Sequence, residues 1–275
     1  MLIVAISQEW SKLNAYSLRE VHKVKKKISL IALFVVVFIV SVVVHLPATV
    51  TLNHAPLPRQ LKMDGVSGTL WKGRAAQVHW LNYDLGSVSW ELHLTALFTG
   101  KLEVATRFGR GSSMNVHGRG VVGTSMSGPY AKTLLVSTPA AELVELSRRP
   151  VPVGVSGQVE LMVRDYQYAQ PWCKEAQGTL SWSNSAISSP VGNLQLGPVI
   201  TDITCKDSVI DAKGKQNNAQ VSSEFTATLK PNHQYHTTAW FKPGSEFPNE
   251  LGKLLSQLPD PDARGRYHFN YDGHF

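Results

Sequence analysis

The chain has 275 residues, a net charge of +7 at neutral pH and two cysteines. Six basic and two acidic residues fall in the first 27, so the rest of the chain carries about +3. That is too dilute for the clustered Lys and Arg stripe that nucleic acid requires. Two cysteines likewise argue against a multi-cysteine metal site or a Cys-x-x-Cys redox motif.

Residues 1–27 are polar and mixed after a short apolar start, Leu2–Ile6, too short to span a bilayer. They suit a weak interfacial helix or a disordered tail. Ile28–Leu46 follows, an uncharged apolar run of 19 residues. At ~1.5 Å per residue it matches a bilayer core, where backbone groups must pair internally, so a membrane-spanning helix is expected. Lys12, Arg19, Lys23, Lys25, Lys26 and Lys27 precede it, and the first basic residues after it are Arg59 and Lys62. The positive-inside rule then leaves 1–27 in the cytoplasm and exports 47–275. The competing reading is a cleaved signal peptide. Against it, the run exceeds the usual ~7–15-residue apolar region and no clear small-x-small site follows.

Pro47, Pro56 and Pro58 predict an extended exit from the helix. In Gly86–Leu97, Val88, Trp90, Leu92 and Leu94 alternate with Ser89, Glu91, His93 and Thr95, which predicts a strand with one buried and one wet face. Leu102 and Val104 resume the pattern, and Met114 and Val116 begin a weaker one leading into the glycine-rich stretch 118–128. Thr138-Pro139-Ala140 reads as a helix start, with Leu143 and Leu146 as its apolar stripe and Arg148, Arg149 and Pro150 as its stop. Val155, Val159, Leu161 and Val163 mark another strand, as do Ser223, Phe225, Ala227 and Leu229. Pro248–Leu258 is amphipathic at helical spacing, and Arg266–Tyr271 closes the chain as a strand with an aromatic face.

Gly65-Val66-Ser67-Gly68 recurs as Gly154-Val155-Ser156-Gly157, and Gly68-Thr69-Leu70-Trp71 is echoed by Gly178-Thr179-Leu180-Ser181-Trp182. With each echo opening a strand, the pattern favours an internally repeated β-meander, in halves of about 60–150 and 151–275. Overall the chain reads as mainly β: an N-terminal transmembrane helix (28–46), then a large antiparallel sheet with two short helices.

Cys173 and Cys205 both lie in the exported region, where disulfides persist, and a bridge between them is expected. The alternative is two free, buried thiols. No catalytic pattern emerges: His-Glu-x-x-His, the phosphate loop and the nucleophile elbow are all missing. Ser67 and Ser156 read as turn or surface serines. His233 and His236 fall on opposite faces of a strand and read as solvent-facing, and Asp202, Asp207 and Asp211 as loop acids. No catalytic, cofactor or metal residue is expected. Trp90 and Trp182 occupy inward positions and read as core, while Trp71, beside Lys72 and Arg74, is either core or a contact to a partner.

Taken together, the anchor, Val66-Ser67-Gly68-Thr69-Leu70-Trp71-Lys72-Gly73-Arg74-Ala75, Leu85-Gly86, Val88-Ser89-Trp90, Cys173, Gly178–Trp182, Leu196-Gly197, Cys205 and a leucine-rich helix before Asp262-Ala263-Arg264-Gly265-Arg266-Tyr267 resemble the type II secretion system protein N family. The resemblance runs in order over nearly all of 28–275, and residues 1–27 fall outside it. Its most specific positions are Gly68, Thr69, Leu70, Trp71, Gly73, Gly265, Arg266 and Tyr267. It implies a single-pass inner-membrane protein with its C-terminal domain in the periplasm, an accessory of the machine that exports folded proteins. It also implies a curved, AsmA-like sheet around an apolar groove, partners among the other inner-membrane and periplasmic secretion subunits, and no catalytic residues. Two functions compete: a β-rich periplasmic scaffold, and a carrier whose apolar face takes phospholipid. Alternation gives a face its polarity but not its cover, so the sequence leaves the choice open.

Overall fold

The computed structural model describes residues 29–54, 60–81, 83–146 and 153–274. The expectations for residues 1–27, for Pro56 and Pro58, and for Arg148–Pro150 lie outside these residues. Within the apolar run, residues 29–44 are helical (α1). Among the described residues no helix is long and apolar enough to cross a membrane. Apolar side chains are exposed all round α1, from Leu30 (67%) and Phe34 (71%) to Phe38 (60%) and Val42 (50%).

Four short helices follow: α2 (Ala48–His54), α3 (Leu94–Leu97), α4 (Ala140–Leu146) and α5 (Asn249–Leu254), the last running into a 3-10 turn, Leu255–Gln257. The strands are β1 (Leu61–Asp64), β2 (Ser67–Gly68), β3 (Lys72–Ala75), β4 (Gln77–Trp80), β5 (Tyr83–Asp84), β6 (Ser87–Leu92), β7 (Leu102–Arg110), β8 (His117–Ser125) and β9 (Gly128–Pro139). After α4 come β10 (Gly154–Gln167), β11 (Glu175–Ser189), β12 (Gly192–Lys206), β13 (Val209–Asn217), β14 (Val221–Leu229), β15 (Gln234–Pro243) and β16 (Tyr267–His274). A small sheet pairs β1, β4 and β5. All the other strands form one 13-stranded antiparallel sheet in the order β16-β15-β14-β13-β12-β11-β10-β9-β8-β7-β6-β3-β2. Each strand from β6 onward pairs with its successor in the chain, so this is an unbroken meander. It continues through β9 and β10, across the boundary between the two expected halves.

Register makes one face of this sheet apolar from end to end. A single cross-strand row runs Val88, Phe108, Gly118, Val136, Leu161, Leu180, Thr201, Gly214, Phe225, Ala239, Phe269. The adjacent row faces the other way and is mostly polar: Ser89, Arg107, Arg119, Leu135, Met162, Thr179, Asp202, Lys213, Thr226, Thr238, Asn270. No second layer encloses the apolar face among the described residues. Its Leu, Ile, Phe and Trp side chains are at best half-buried, and the fully buried apolar residues are small or peripheral, such as Ala75, Val78 and Ala131.

The sheet compensates by packing within its own plane. Trp90 lies over Gly73, Phe108 over Gly118, Phe225 over Gly214 and Tyr235 over Gly273, each glycine directly opposite its aromatic residue on the neighbouring strand. A Cβ on any of these glycines would overlap the ring. An aromatic ring folded over a glycine covers bare backbone and removes its own face from water, which a single-layer sheet otherwise cannot do. On the polar face Tyr130, itself buried, donates to Glu103 Oε1 at 2.7 Å. Burial first, and then that carboxylate, push the Tyr130 phenol up to about 12.

Several local expectations need correction. Leu94 is not on the β6 face: the strand ends at Leu92, and residues 94–97 turn into α3 with Leu94 and Leu97 exposed. The Leu92 N–H and the His93 N–H are taken by the Trp71 and Glu103 carbonyls, after which the chain must reverse to pair β7 with β6. Met114 and Val116 precede β8, in a turn held by Ser112. Thr138 and Pro139 belong to the end of β9, paired with Val159 and Gln158, so α4 begins at Ala140. In α4 Leu143 is exposed, while Ala140 is buried and Glu142 and Val144 are half-buried. Four short helices follow α1 among the described residues, where two were expected. The Gly178–Trp182 echo lies inside β11 and opens no strand. His233 is not solvent-facing but packs its ring on Trp172, with centroids 4.9 Å apart.

Candidate functional site

The Gly68–Gly73 block forms the tip of the β2–β3 hairpin. The Thr69 N–H donates to the Lys72 carbonyl at 2.9 Å, and the Lys72 N–H donates to Thr69 Oγ1 at 3.2 Å, closing a turn whose two central residues are Leu70 and Trp71. Gly68 enters that turn at φ +91°, where a Cβ would also strike the Lys72 carbonyl.

This tip grips the end of α1. Carbonyls in the last turn of a helix lack intrahelical partners. Trp71 Nε1 donates to the Val43 carbonyl at 2.8 Å, and the Leu70 N–H donates to the Leu46 carbonyl at 3.0 Å. Thr69 also forms an antiparallel bridge with Pro47. From the sheet side, Trp90 Nε1 donates to the Leu70 carbonyl at 3.1 Å, and the Leu92 N–H to the Trp71 carbonyl at 2.7 Å. The backbone N–H of Leu70 and both carbonyls of the Leu70–Trp71 tip are therefore satisfied, on one side by the helix end and on the other by β6. Ala48, at the start of α2, and Ala75, in β3, are both fully enclosed. Trp71, read as either core or a contact to a partner, is half-buried and gives its indole N–H to the end of the apolar helix.

The second motif block lies at the opposite edge of the sheet and does not meet the first. Gly265 closes a turn in which its N–H donates to the Asp262 carbonyl at 2.8 Å. Arg266 pairs with Asp262, Nη2 to Oδ2 at 2.7 Å, while its guanidinium sits 5.3 Å over the Trp240 ring. Asp262 is held well below the usual carboxylate range, first by its hydrogen bond with the His268 ring, then by the Arg266 N–H, its guanidinium and the Arg264 N–H. Tyr267 stacks on Phe241 at 5.1 Å. This block therefore orders the start of β16, the edge strand.

Cys173 and Cys205 are disulfide-bonded, with their Cα atoms 6.4 Å apart. Ser208 completes this corner and was not anticipated. The Ser208 N–H donates to the Cys173 carbonyl at 2.8 Å, its Oγ accepts from the Cys173 N–H, and its carbonyl accepts from Trp172 Nε1 at 2.9 Å. Asp207 and Ser208 both have positive φ, the signature of the two-residue hairpin turn between β12 and β13. That turn chemistry, Asp-Ser between two alternating runs, was the available signal. Asp202 and Asp211 lie in strands, accepting from Thr179 and Thr228 hydroxyls. Among the described residues no group of three or more His, Cys, Asp or Glu side chains is placed to hold a metal ion.

These features define a class: a single-layer antiparallel meander latched at its first edge to an exposed apolar helix and ordered at its last by a charged turn. The family described as type II secretion system (T2SS), protein N matches residues 59–270. The type II secretion system protein N of Vibrio cholerae serotype O1 is 51% identical over 241 residues, covering 88% of this chain and 96% of that protein. Its namesake from Aeromonas hydrophila is 35% identical over 252 residues, covering 90% and 99%, and that from Pectobacterium carotovorum is 23% identical over 222 residues, covering 81% and 87%. No solved structure matches the chain. The chain belongs to the type II secretion system protein N family.

Proposed function

We propose that this protein is an accessory inner-membrane component of the type II secretion system. In this reading Ile28–Leu46 spans the membrane with residues 1–27 in the cytoplasm, and residues 47–275 stand in the periplasm as a scaffold for other secretion subunits. The carrying observation is α1 itself, apolar and exposed on every side. A helix hydrophobic all round belongs inside a large core or a bilayer, and no core of this chain surrounds it among the described residues. Each such side chain left in water forgoes roughly 1.5–3 kcal/mol, so lipid is the environment that accounts for the helix. The 16 described helical residues span about 24 Å at the usual helical rise, most of a ~30 Å bilayer core. The hydrogen bonds from Trp71 and Leu70 to the end of α1 then tether the sheet close to the membrane surface.

The names borne by the relatives favour secretion over phospholipid transport, so the scaffold is preferred to the AsmA-like carrier. Alkaline extraction of membranes should leave the full chain in the pellet. A periplasm-dependent reporter fused after His274 should be active, and the same reporter fused after Leu18 inactive. Deleting the gene should lower the amount of secreted cargo in the medium, and complementation with the full chain should restore it. Release of the chain by alkali, or reversed reporter activities, would refute the placement. Unchanged secretion would refute the role.

A further inference from the structure

The sequence scatters its exported basic residues, but register gathers four of them. Arg107 and Arg119 stand directly opposite each other on β7 and β8, on the polar face. Arg74 lies in the same cross-strand row, separated from Arg107 only by the small Ser89. Arg110, brought opposite Ser87 by a register shift at the end of β7, lines a groove with the other three. Like charges directly opposite on neighbouring strands destabilise a sheet. An acidic partner normally offsets this, yet among the described residues no carboxylate lies within 4.0 Å of these four guanidinium groups. The acid of the adjoining row, Glu91, is already paired with Lys72 at 3.1 Å. Two grooves of about 640 and 800 Å³ meet at this point, and both are lined by Arg107 and Arg119.

An arrangement that is costly when empty and lacks an internal counter-ion is one that an anion completes. Guanidinium forks match tetrahedral phosphate oxygens in a bidentate manner. The row begins at Arg74, two residues along β3 from Lys72 and three from Trp71, at the hairpin that caps α1. If α1 lies in a bilayer, as proposed above, the row sits within about 20 Å of the point where the chain leaves it, at three strand spacings of ~4.8 Å. Phosphates of lipid headgroups are the anions concentrated there. We propose that Arg74, Arg107 and Arg119 form a binding site for the phosphate of an anionic phospholipid headgroup. The site lies on the polar face of the sheet, opposite the apolar face that a lipid carrier would use, and it orients the scaffold on the membrane surface.

The test uses the full chain in dodecyl maltoside, with its melting temperature followed as phosphatidylglycerol, phosphatidylcholine or inorganic phosphate is added. Phosphatidylglycerol should raise the melting temperature of the native chain, and the other two should not. Arg107→Gln and Arg119→Gln should each weaken that binding at least about tenfold, whereas Lys230→Gln, on the far side of the sheet, should leave it unchanged. Without lipid, Arg119→Gln should melt higher than the native chain, because the opposed charges are relieved; a lower value would make Arg119 structural and overturn the site. Arg107→Lys keeps the charge and loses the fork, so it should bind more weakly while folding normally. An equal shift with inorganic phosphate or phosphatidylcholine would overturn the lipid assignment. A phosphatidylglycerol shift that survives both glutamine variants, or no shift at all, would overturn the site. Alkaline extraction reports separately on the anchor, so the two readings fail independently.

Discussion

Trp71 Nε1 donates to the carbonyl of Val43, 28 residues earlier, and so caps the apolar helix with a side chain from the first hairpin of the sheet. Trp71→Phe keeps an aromatic ring of smaller size and removes the indole N–H that makes this bond. It should cost about 0.5–1.5 kcal/mol in a urea melt of the full chain in micelles. Hydrogen exchange at the Leu70 amide, which bonds Leu46, should quicken because the latch is loosened. Unchanged exchange there would mean that the indole contributes nothing to the grip.

Gly73 underlies the Trp90 indole, and a Cβ built on it would sit 2.5 Å from Trp90 Cζ2. Gly73→Ala should therefore be destabilising, and Trp90→Ala should cost about 2–3 kcal/mol. That is less than the ~3–5 kcal/mol of a fully enclosed aromatic residue, because Trp90 keeps part of its surface in solvent. In the double variant the losses should fall short of additive, since each removes the same contact. Strict additivity in denaturant melts would refute the pairing.

Cys173→Ser and Cys205→Ser should behave alike, each losing the one bridge. The chain-entropy model puts that loss at roughly 3–4 kcal/mol for a loop of about 33 residues. The double variant should lose little more than either single one. Unequal single-variant melting temperatures under oxidising conditions would contradict the bridge as the common cause.

Asp262 has its folded-state pKa depressed, chiefly by the His268 ring and then by Arg266. A carboxylate so held contributes stability above its unfolded pKa, near 3.8, and loses it as pH falls through the lower folded value. Asp262→Asn should therefore melt below the native chain at pH 7, and the gap should narrow as pH drops below about 4. A gap that is constant between pH 7 and pH 3 would remove the charge from the explanation.

Much of the architecture is legible in the amino-acid sequence because it depends on local period. Alternation in Val88–Leu92, Val159–Val163 and Phe225–Leu229 marks strands wherever it holds, since successive residues of a strand face opposite ways. The charge-free length of Ile28–Leu46 marks a helix, found over residues 29–44, and the expected export of the only two cysteines points to their bridge. The motif positions Gly68 to Gly73 and Gly265 to Tyr267 were visible as blocks. Their tasks were not visible, because both lie in contacts remote in sequence: Val43 with Trp71, and Trp240 with Arg266.

Register decided the rest. Bulges change the parity of a strand, so Val163 and Tyr166, three residues apart, both come to the apolar face opposite Gly178 and Ala176. No single strand reveals which residue will stand opposite which. Only the assembled sheet places Trp90 on Gly73, Phe108 on Gly118 and Phe225 on Gly214, and so allows one layer to pack without a second. The same assembly sets Arg107 against Arg119, turning a diluted positive charge into a local one. The polarity of each segment is written along the chain, because neighbouring residues carry it. The tertiary structure decided what each face meets, because hydrogen-bonded pairing across strands brings together residues that the chain keeps apart.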